Sequence, residues 1–184
     1  MTAHIRPAGT ADLDPAADVL AGAFDSYAWT RWTIPADDYA VRLRRLQRLY
    51  LGYALDEGIV LVEDALRGVI ALLPPDASAP PADMQEQVAQ LHSDRLEAVV
   101  QAPVPPQPPD TWNLATLGVH PDAQGAGLGS AMLHAGLAAV GAKAVALETS
   151  DQRNVALYER AGFTVTAVTE IEGGPAVVSM LRPS

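Results

Sequence analysis

The chain has 184 residues, no cysteine and a formal net charge of −10, with 49% apolar and 5% aromatic residues. That is one domain, long enough to bury a core without covalent staples; the missing cysteine excludes a disulfide scaffold, a thiolate nucleophile and Cys-ligated metals. The acidity argues against a nucleic-acid partner, which needs clustered Lys and Arg, and no run reaches the ~20 apolar residues of a membrane span.

In chain order, residues 3–7 predict a short strand. Thr10 is placed to cap a helix, with Asp12 and Asp14 in its first turn, where carboxylates favour the positive helix end. Leu13, Ala16, Ala17, Leu20, Ala21 and Phe24 then recur at helical spacing. An aromatic segment, 27–35, carries Tyr27, Trp29 and Trp32. Asp37 can cap the next helix, whose apolar face is Tyr39, Leu43, Leu46, Leu49, Tyr50 and Tyr53, and Gly58 ends it. Residues 58–62 and 69–73 are β-branched runs that predict a hairpin.

Residues 74–109 are bounded by proline-rich stretches. Asp83 and Glu86 have capping-box spacing, and one helix is expected to run from there to about Val100. These 36 residues are too few for a core of their own. They predict an insertion that packs on a single domain spanning 1–184.

The remainder is more regular. Trp112–Val119 predicts a strand, about 127–140 a helix, 144–149 a buried strand and 154–161 a short helix stopped by Gly162. Strands at 163–168 and 176–181 close the chain around Gly173-Gly174-Pro175.

The densest chemical signal is Gln124-Gly125-Ala126-Gly127-Leu128-Gly129, after a strand and at a helix start. Glycine lets the backbone turn sharply and approach a ligand closely. Free N–H groups and the helix dipole there suit a pyrophosphate. The run is neither a dinucleotide fingerprint, which needs Gly-x-Gly-x-x-Gly, nor a Walker loop, which needs Lys-Ser/Thr. A plain glycine turn before an amphipathic helix is the alternative.

A second element adds to this: Leu147-Glu148-Thr149-Ser150, then Asn154, Tyr158, Glu159, Gly162 and Phe163. Together the two resemble the GNAT N-acetyltransferase superfamily, with its Gln/Arg-x-x-Gly-x-Gly/Ala turn and its Asn-x-x-x-Tyr-Glu-x-x-Gly-Phe run. Phe24-Asp25-Ser26-Tyr27, Leu114-Ala115-Thr116-Leu117-Gly118-Val119 and Arg153-Asn154 are similar to the puromycin N-acetyltransferase branch, as is the inserted helix. Ala126 departs from that branch, which often has a basic residue there.

The resemblance implies an α/β (α+β) GNAT fold: a mixed, mostly antiparallel sheet of about seven strands, splayed after the fourth and flanked by helices. It implies acetyl transfer from acetyl-CoA to the amine of a small molecule, such as an antibiotic or aminonucleoside. A peptide amine as acceptor, or an acyl-CoA-binding regulator without turnover, are the alternatives. Leu117 and Val119 would pair with the pantetheine arm like an added strand. Gln124, Gly125, Ala126, Gly127, Leu128, Gly129 and Ser130 would hold the pyrophosphate, with Asn154 also on the cofactor. Tyr158 matches the general acid; a phenol is protonated at neutral pH and can donate. Glu148 ends an apolar strand, where it could deprotonate the amine or anchor an ammonium.

Tyr27, Trp32 and Trp112 could wall an apolar or cationic amine; core packing is the competing role for each. His120 precedes Pro121 in a loop and could act as a base. His4, His92 and His134 are scattered, so no metal is expected. Without cysteine, direct transfer is favoured over an acyl-enzyme. A monomer and a homodimer both fit. Lys143 is the single lysine beside eleven arginines, and with abundant alanine this suggests a GC-rich bacterial gene. Arg6 is followed by Asp12 and Asp14 instead of an apolar signal core, so a cytoplasmic location is expected.

Overall fold

The computed structural model describes residues 3–184. The elements are β1 (Ile5–Pro7), α1 (Leu13–Phe24), α2 (Ala28–Thr33), α3 (Tyr39–Glu57), β2 (Ile59–Glu63) and β3 (Gly68–Leu73). The insertion holds α4 (Ala82–His92) and α5 (Leu96–Gln101). Then come β4 (Trp112–Val119), α6 (Leu128–Val140), β5 (Val145–Thr149), α7 (Gln152–Arg160), β6 (Thr164–Thr169) and β7 (Val177–Arg182). The strands form one seven-stranded sheet in the order β1-β2-β3-β4-β5-β7-β6.

Both faces of β2 and β3 are covered, which is why they read as continuous apolar runs. Val60, Val62, Val69 and Ala71 pack against Leu13, Ala17 and Leu20 of α1 and Leu51 and Ala54 of α3. On the other face Leu61, Ile70 and Leu72 meet Met132, Leu133 and Leu137 of α6. Each such buried aliphatic side chain stabilises the fold by roughly 1.5–3 kcal/mol.

One pairing is unlike the rest. β4 and β5 are parallel and pair only at Trp112 with Val145 and Asn113 with Ala146; the other neighbours are antiparallel. Beyond Asn113 the two strands part. Ala115 is an extra residue in β4, since Leu114 faces Leu72 and Thr116 faces Ala71. Such a bulge bends the strand and increases its twist. The His120 N–H donates to the Arg67 carbonyl at 2.8 Å. Strand alternation therefore turns the backbone groups of Gly118 and Thr116 to β3, and those of Leu117 and Val119 to the open notch.

The insertion docks on α3. Leu91 packs with Ile34, Tyr39, Leu43 and Leu46. The Arg42 guanidinium donates to the carbonyls of Gln90 and Leu91 at 3.2 and 3.1 Å, where the negative end of α4 favours a cation. His92 Nδ1 lies 2.7 Å from the Thr33 carbonyl, so Nδ1 carries the hydrogen. Its Nε2 then accepts from Tyr50 Oη at 3.4 Å.

Several local expectations change. Thr10 does not cap α1. It opens a single 3₁₀ turn, and the Asp12 carboxylate reaches back to the Gly9 N–H at 2.8 Å and pairs with Arg6. Asp38, with φ 51°, precedes α3, and Asp37 pairs with Arg42 instead. Asp83 lies inside the first turn of α4, which starts after Pro81. The helix expected to run on to Val100 breaks at Ser93, φ 50°, into α4 and α5. Among the described residues no helix is long and apolar enough to cross a membrane.

Candidate active site

The parting of β4 and β5 opens a cavity of about 500 Å³. Its walls come from the α1–α2 segment, α3, the insertion, β4, β5 and α7. Tyr158 and Asn154 enter from α7, Glu148 from β5, and Leu117 from β4.

Tyr158 is 6% exposed, and its ring packs edge-on to Phe163 at 5.8 Å. Its hydroxyl bonds to no other described residue. Burial first, and then the nearby Tyr27, push the phenol above its ordinary value, so it stays protonated at neutral pH. Glu148 is exposed on the cavity side of β5 and partly desolvated there. Loss of bulk water raises its carboxyl from the ordinary 4.5. Both groups are therefore biased toward their proton-bearing forms by the same cause.

A hydrogen-bonded belt holds this end of the cavity. Tyr27 Oη accepts from the Ser150 N–H at 2.7 Å and lies 3.1 Å from Thr149 Oγ1. The Trp29 N–H donates to Ser150 Oγ at 3.2 Å. Asp151 caps α7 by accepting from the Arg153 N–H at 2.9 Å. The belt ties the α1–α2 turn to the end of β5, 122 residues away. It fixes the strand end that carries Glu148.

At the mouth of the notch, residues 124–127 are exposed. Gly125 and Gly127 have φ +80° and +82°, in the left-handed region where a side chain is strained, with open space around each. The first helical bond of α6 runs from the Ala131 N–H to the Gly127 carbonyl. The N–H groups of Leu128, Gly129 and Ser130 therefore have no partner within the helix. The Gln124 side-chain amide donates to the Val119 carbonyl at 3.0 Å, bracing the turn on the end of β4.

Tyr27 lines the cavity, but Trp32 and Trp112 do not. Trp32 lies against Trp29 and over Gly174 in the β6–β7 turn. Trp112 packs on the α6-side core, and its N–H donates to the Ala144 carbonyl at the one point where β4 and β5 pair. The aromatic surface of the cavity is instead Phe24, Tyr27, Trp29, Tyr50 and Tyr53. Gln47, His92 and Asn113 also line it and were not singled out from the sequence. For Gln47 a signal existed: it occupies an apolar phase of α3, four residues after Leu43 and three before Tyr50. His120 lies outside the cavity, with Nδ1 accepting from the Asp122 N–H at 3.3 Å.

Residues 88–165 match the family model of the acetyltransferase (GNAT) domain. That stretch contains β4, the glycine turn, β5 and α7. The whole chain is similar to the solved structure of "histone acetyltransferase HPA2 and related acetyltransferase" from Corynebacterium glutamicum. The two are 27% identical with a TM-score of 0.81, over 100% of this chain and 97% of that one. The chain has the fold of the GNAT acetyltransferases. It is an acyltransferase, with the GNAT fold over its length. The same fold is found in PaiA N-acetyltransferase from Thermoplasma acidophilum in complex with coenzyme A (16% identity, TM-score 0.63, 100% of both chains). It recurs in a mosquito arylalkylamine N-acetyltransferase-like protein (17%, TM-score 0.60, 98% of this chain and 99% of that one). The α1–α3 walls of the cavity lie before the GNAT-matched segment.

Proposed function

We propose that this protein moves acetyl from acetyl-CoA directly to the primary amine of a small molecule. The observation that carries this reading is the meeting of Glu148 and Tyr158 in one cavity, beside an unpaired stretch of β4 and the open start of α6. The donor fits these residues. The outward backbone groups of Leu117 and Val119 suit the amides of a pantetheine arm, by strand addition. The turn from Gln124 to Ser130, open around Gly125 and Gly127, suits the pyrophosphate, and Asn154, on the cavity with Tyr158, would also meet the cofactor. A net charge of −10 does not oppose this, because backbone N–H groups make the anion site.

Acetyl-CoA supplies an activated thioester. Glu148 receives the acceptor's ammonium and takes its proton; its raised pKa narrows the gap to an alkylamine near ~10. A backbone N–H of β4 near Val119 donates to the acyl oxygen as it gains charge. The freed amine attacks the thioester carbon; as the C–S bond breaks, Tyr158, still protonated, gives its proton to the departing sulfur, and the second proton lost by the new amide nitrogen restores the phenol. With no cysteine to hold acetyl, transfer is direct.

A small acceptor is supported by the insertion, which closes one wall of the cavity with Pro80, Met84 and Val99. The similarity to puromycin N-acetyltransferases makes aminonucleosides the first acceptors to try. Free-thiol release from acetyl-CoA, measured across small amines including puromycin and across peptides, tests the proposal. Turnover with at least one small amine, and none with peptides, is expected. Tight acetyl-CoA binding without thiol release from any amine would instead make the protein a regulator.

A further inference from the structure

The wall of the cavity formed by α3 has a polar group that acetyl transfer does not use. Gln47 is 8% exposed, lines the cavity, and hydrogen-bonds to no other described residue. Its neighbours on the helix, Leu43 and Leu46, are buried aliphatics. Its amide opens onto the cavity, so a ligand group that displaces the water there has to replace that water's hydrogen bonds.

Three other polar side chains of the cavity are engaged. Tyr50 Oη donates to His92 Nε2. Tyr53 Oη donates to the Ser78 carbonyl. Gln107 Nε2 donates to Asn113 Oδ1 at 2.9 Å. Glu148 is the one carboxylate among the lining side chains, and no Lys or Arg lines the cavity. The same cavity is also lined by Phe24, Trp29, Tyr50, Tyr53 and Met84.

We propose that Gln47 is the second anchor of the acceptor site. It recognises a neutral hydroxyl or carbonyl at the far end of an aromatic primary amine whose nitrogen lies at Glu148. This rests on the transfer reading above and narrows its acceptor class. An amide offers a donor and an acceptor together, so one hydroxyl can satisfy both. A single carboxylate receives one ammonium, and a second cationic end would be buried without a partner. A carboxylate on the acceptor would meet Glu148 and find no cation.

The test compares phenethylamine, tyramine, phenylalanine and putrescine as acceptors for the wild type, Gln47→Leu and Gln47→Glu. One hydrogen bond to a neutral group predicts a tyramine KM roughly 3–10-fold below that of phenethylamine in the wild type. In Gln47→Leu the ratio falls to about one, while Gln47→Glu, with a second carboxylate, gains putrescine as an acceptor. The same amines are ranked by the melting-temperature shift each gives the full-length protein, which needs no turnover. Retained tyramine preference in Gln47→Leu, or wild-type preference for putrescine or phenylalanine, overturns the proposal. If no amine releases thiol, the transfer reading fails. A tyramine-over-phenethylamine ranking in melting shifts, lost in Gln47→Leu, then still sustains the subsite, and its absence sinks it.

Discussion

Replacing Tyr158 by Phe deletes one oxygen and keeps the ring. The ring contacts remain, including the edge-on packing against Phe163 at 5.8 Å. The hydroxyl bonds to no other described residue, so the fold loses no internal hydrogen bond. The hydroxyl opens onto the cavity and no protein group is left unpaired, so the melting temperature should stay within the roughly 2–4 °C that about 1 kcal/mol represents for a chain of this size. Activity moves the other way. A thiol with an ordinary pKa near ~8.5 leaves as a thiolate at pH 7 unless it is given a proton. A positioned acid contributes about 10²–10⁴ in rate, and burial keeps Tyr158 protonated across the neutral range. Thiol release with both substrates saturating, from pH 6 to 9, should show kcat at least ~100-fold lower, within that span for a lost general acid. A thermal melt on the same samples reports the fold. A variant that melts normally and keeps its kcat at every pH would refute the acid role.

The remaining predictions concern charge and packing. Activity that needs the Glu148 carboxylate is lost as pH falls through its raised pKa, so the acidic limb of kcat/KM lies above the ordinary 4.5; Glu148→Gln lowers the rate and removes that limb. The folded pKa exceeds the unfolded one, so Glu148 costs stability as pH rises through that window. Glu148→Gln should therefore raise the melting temperature more at pH 8 than at pH 4. Gly118→Ala places a Cβ 2.6 Å from Leu20 Cδ2 and 3.2 Å from Ala23 Cβ, between β4 and α1. Denaturant melts should show a loss of about 1–3 kcal/mol, as overpacking costs. Ala126→Arg adds a cation to the exposed glycine turn; acetyl-CoA binding, followed by calorimetry, should tighten several-fold at low salt and less at high salt.

Much of the fold was legible because local patterns carry it. The apolar runs of β2, β3 and β5, the hairpin between 63 and 68, and the glycine turn that opens α6 are short-range signals, set by strand pleat and backbone sterics. The Gly/Asn/Tyr pattern from 124 to 163 was legible for the same reason: its residues are close in sequence, on the glycine turn and on α7.

The acceptor side was less legible. Periodicity says that a residue of α3 points inward, not what it meets there. Only tertiary packing turned Leu51 and Ala54 to the sheet, Leu43 and Leu46 to the insertion, and Gln47, Tyr50 and Tyr53 to the cavity. Trp32 and Trp112 share the composition of a ligand wall but face the β6–β7 turn and the α6-side core. The break at Ser93 is likewise tertiary, because docking His92 on Thr33 and Tyr50 outweighs the helix propensity of 82–100. The sequence by itself determined the strands, the glycine turn before α6 and the absence of a thiol. The tertiary structure decided where β4 and β5 part and which side chains face that notch, because both depend on contacts between segments distant in sequence, from 33 residues between Trp112 and Val145 to 122 between Tyr27 and Thr149.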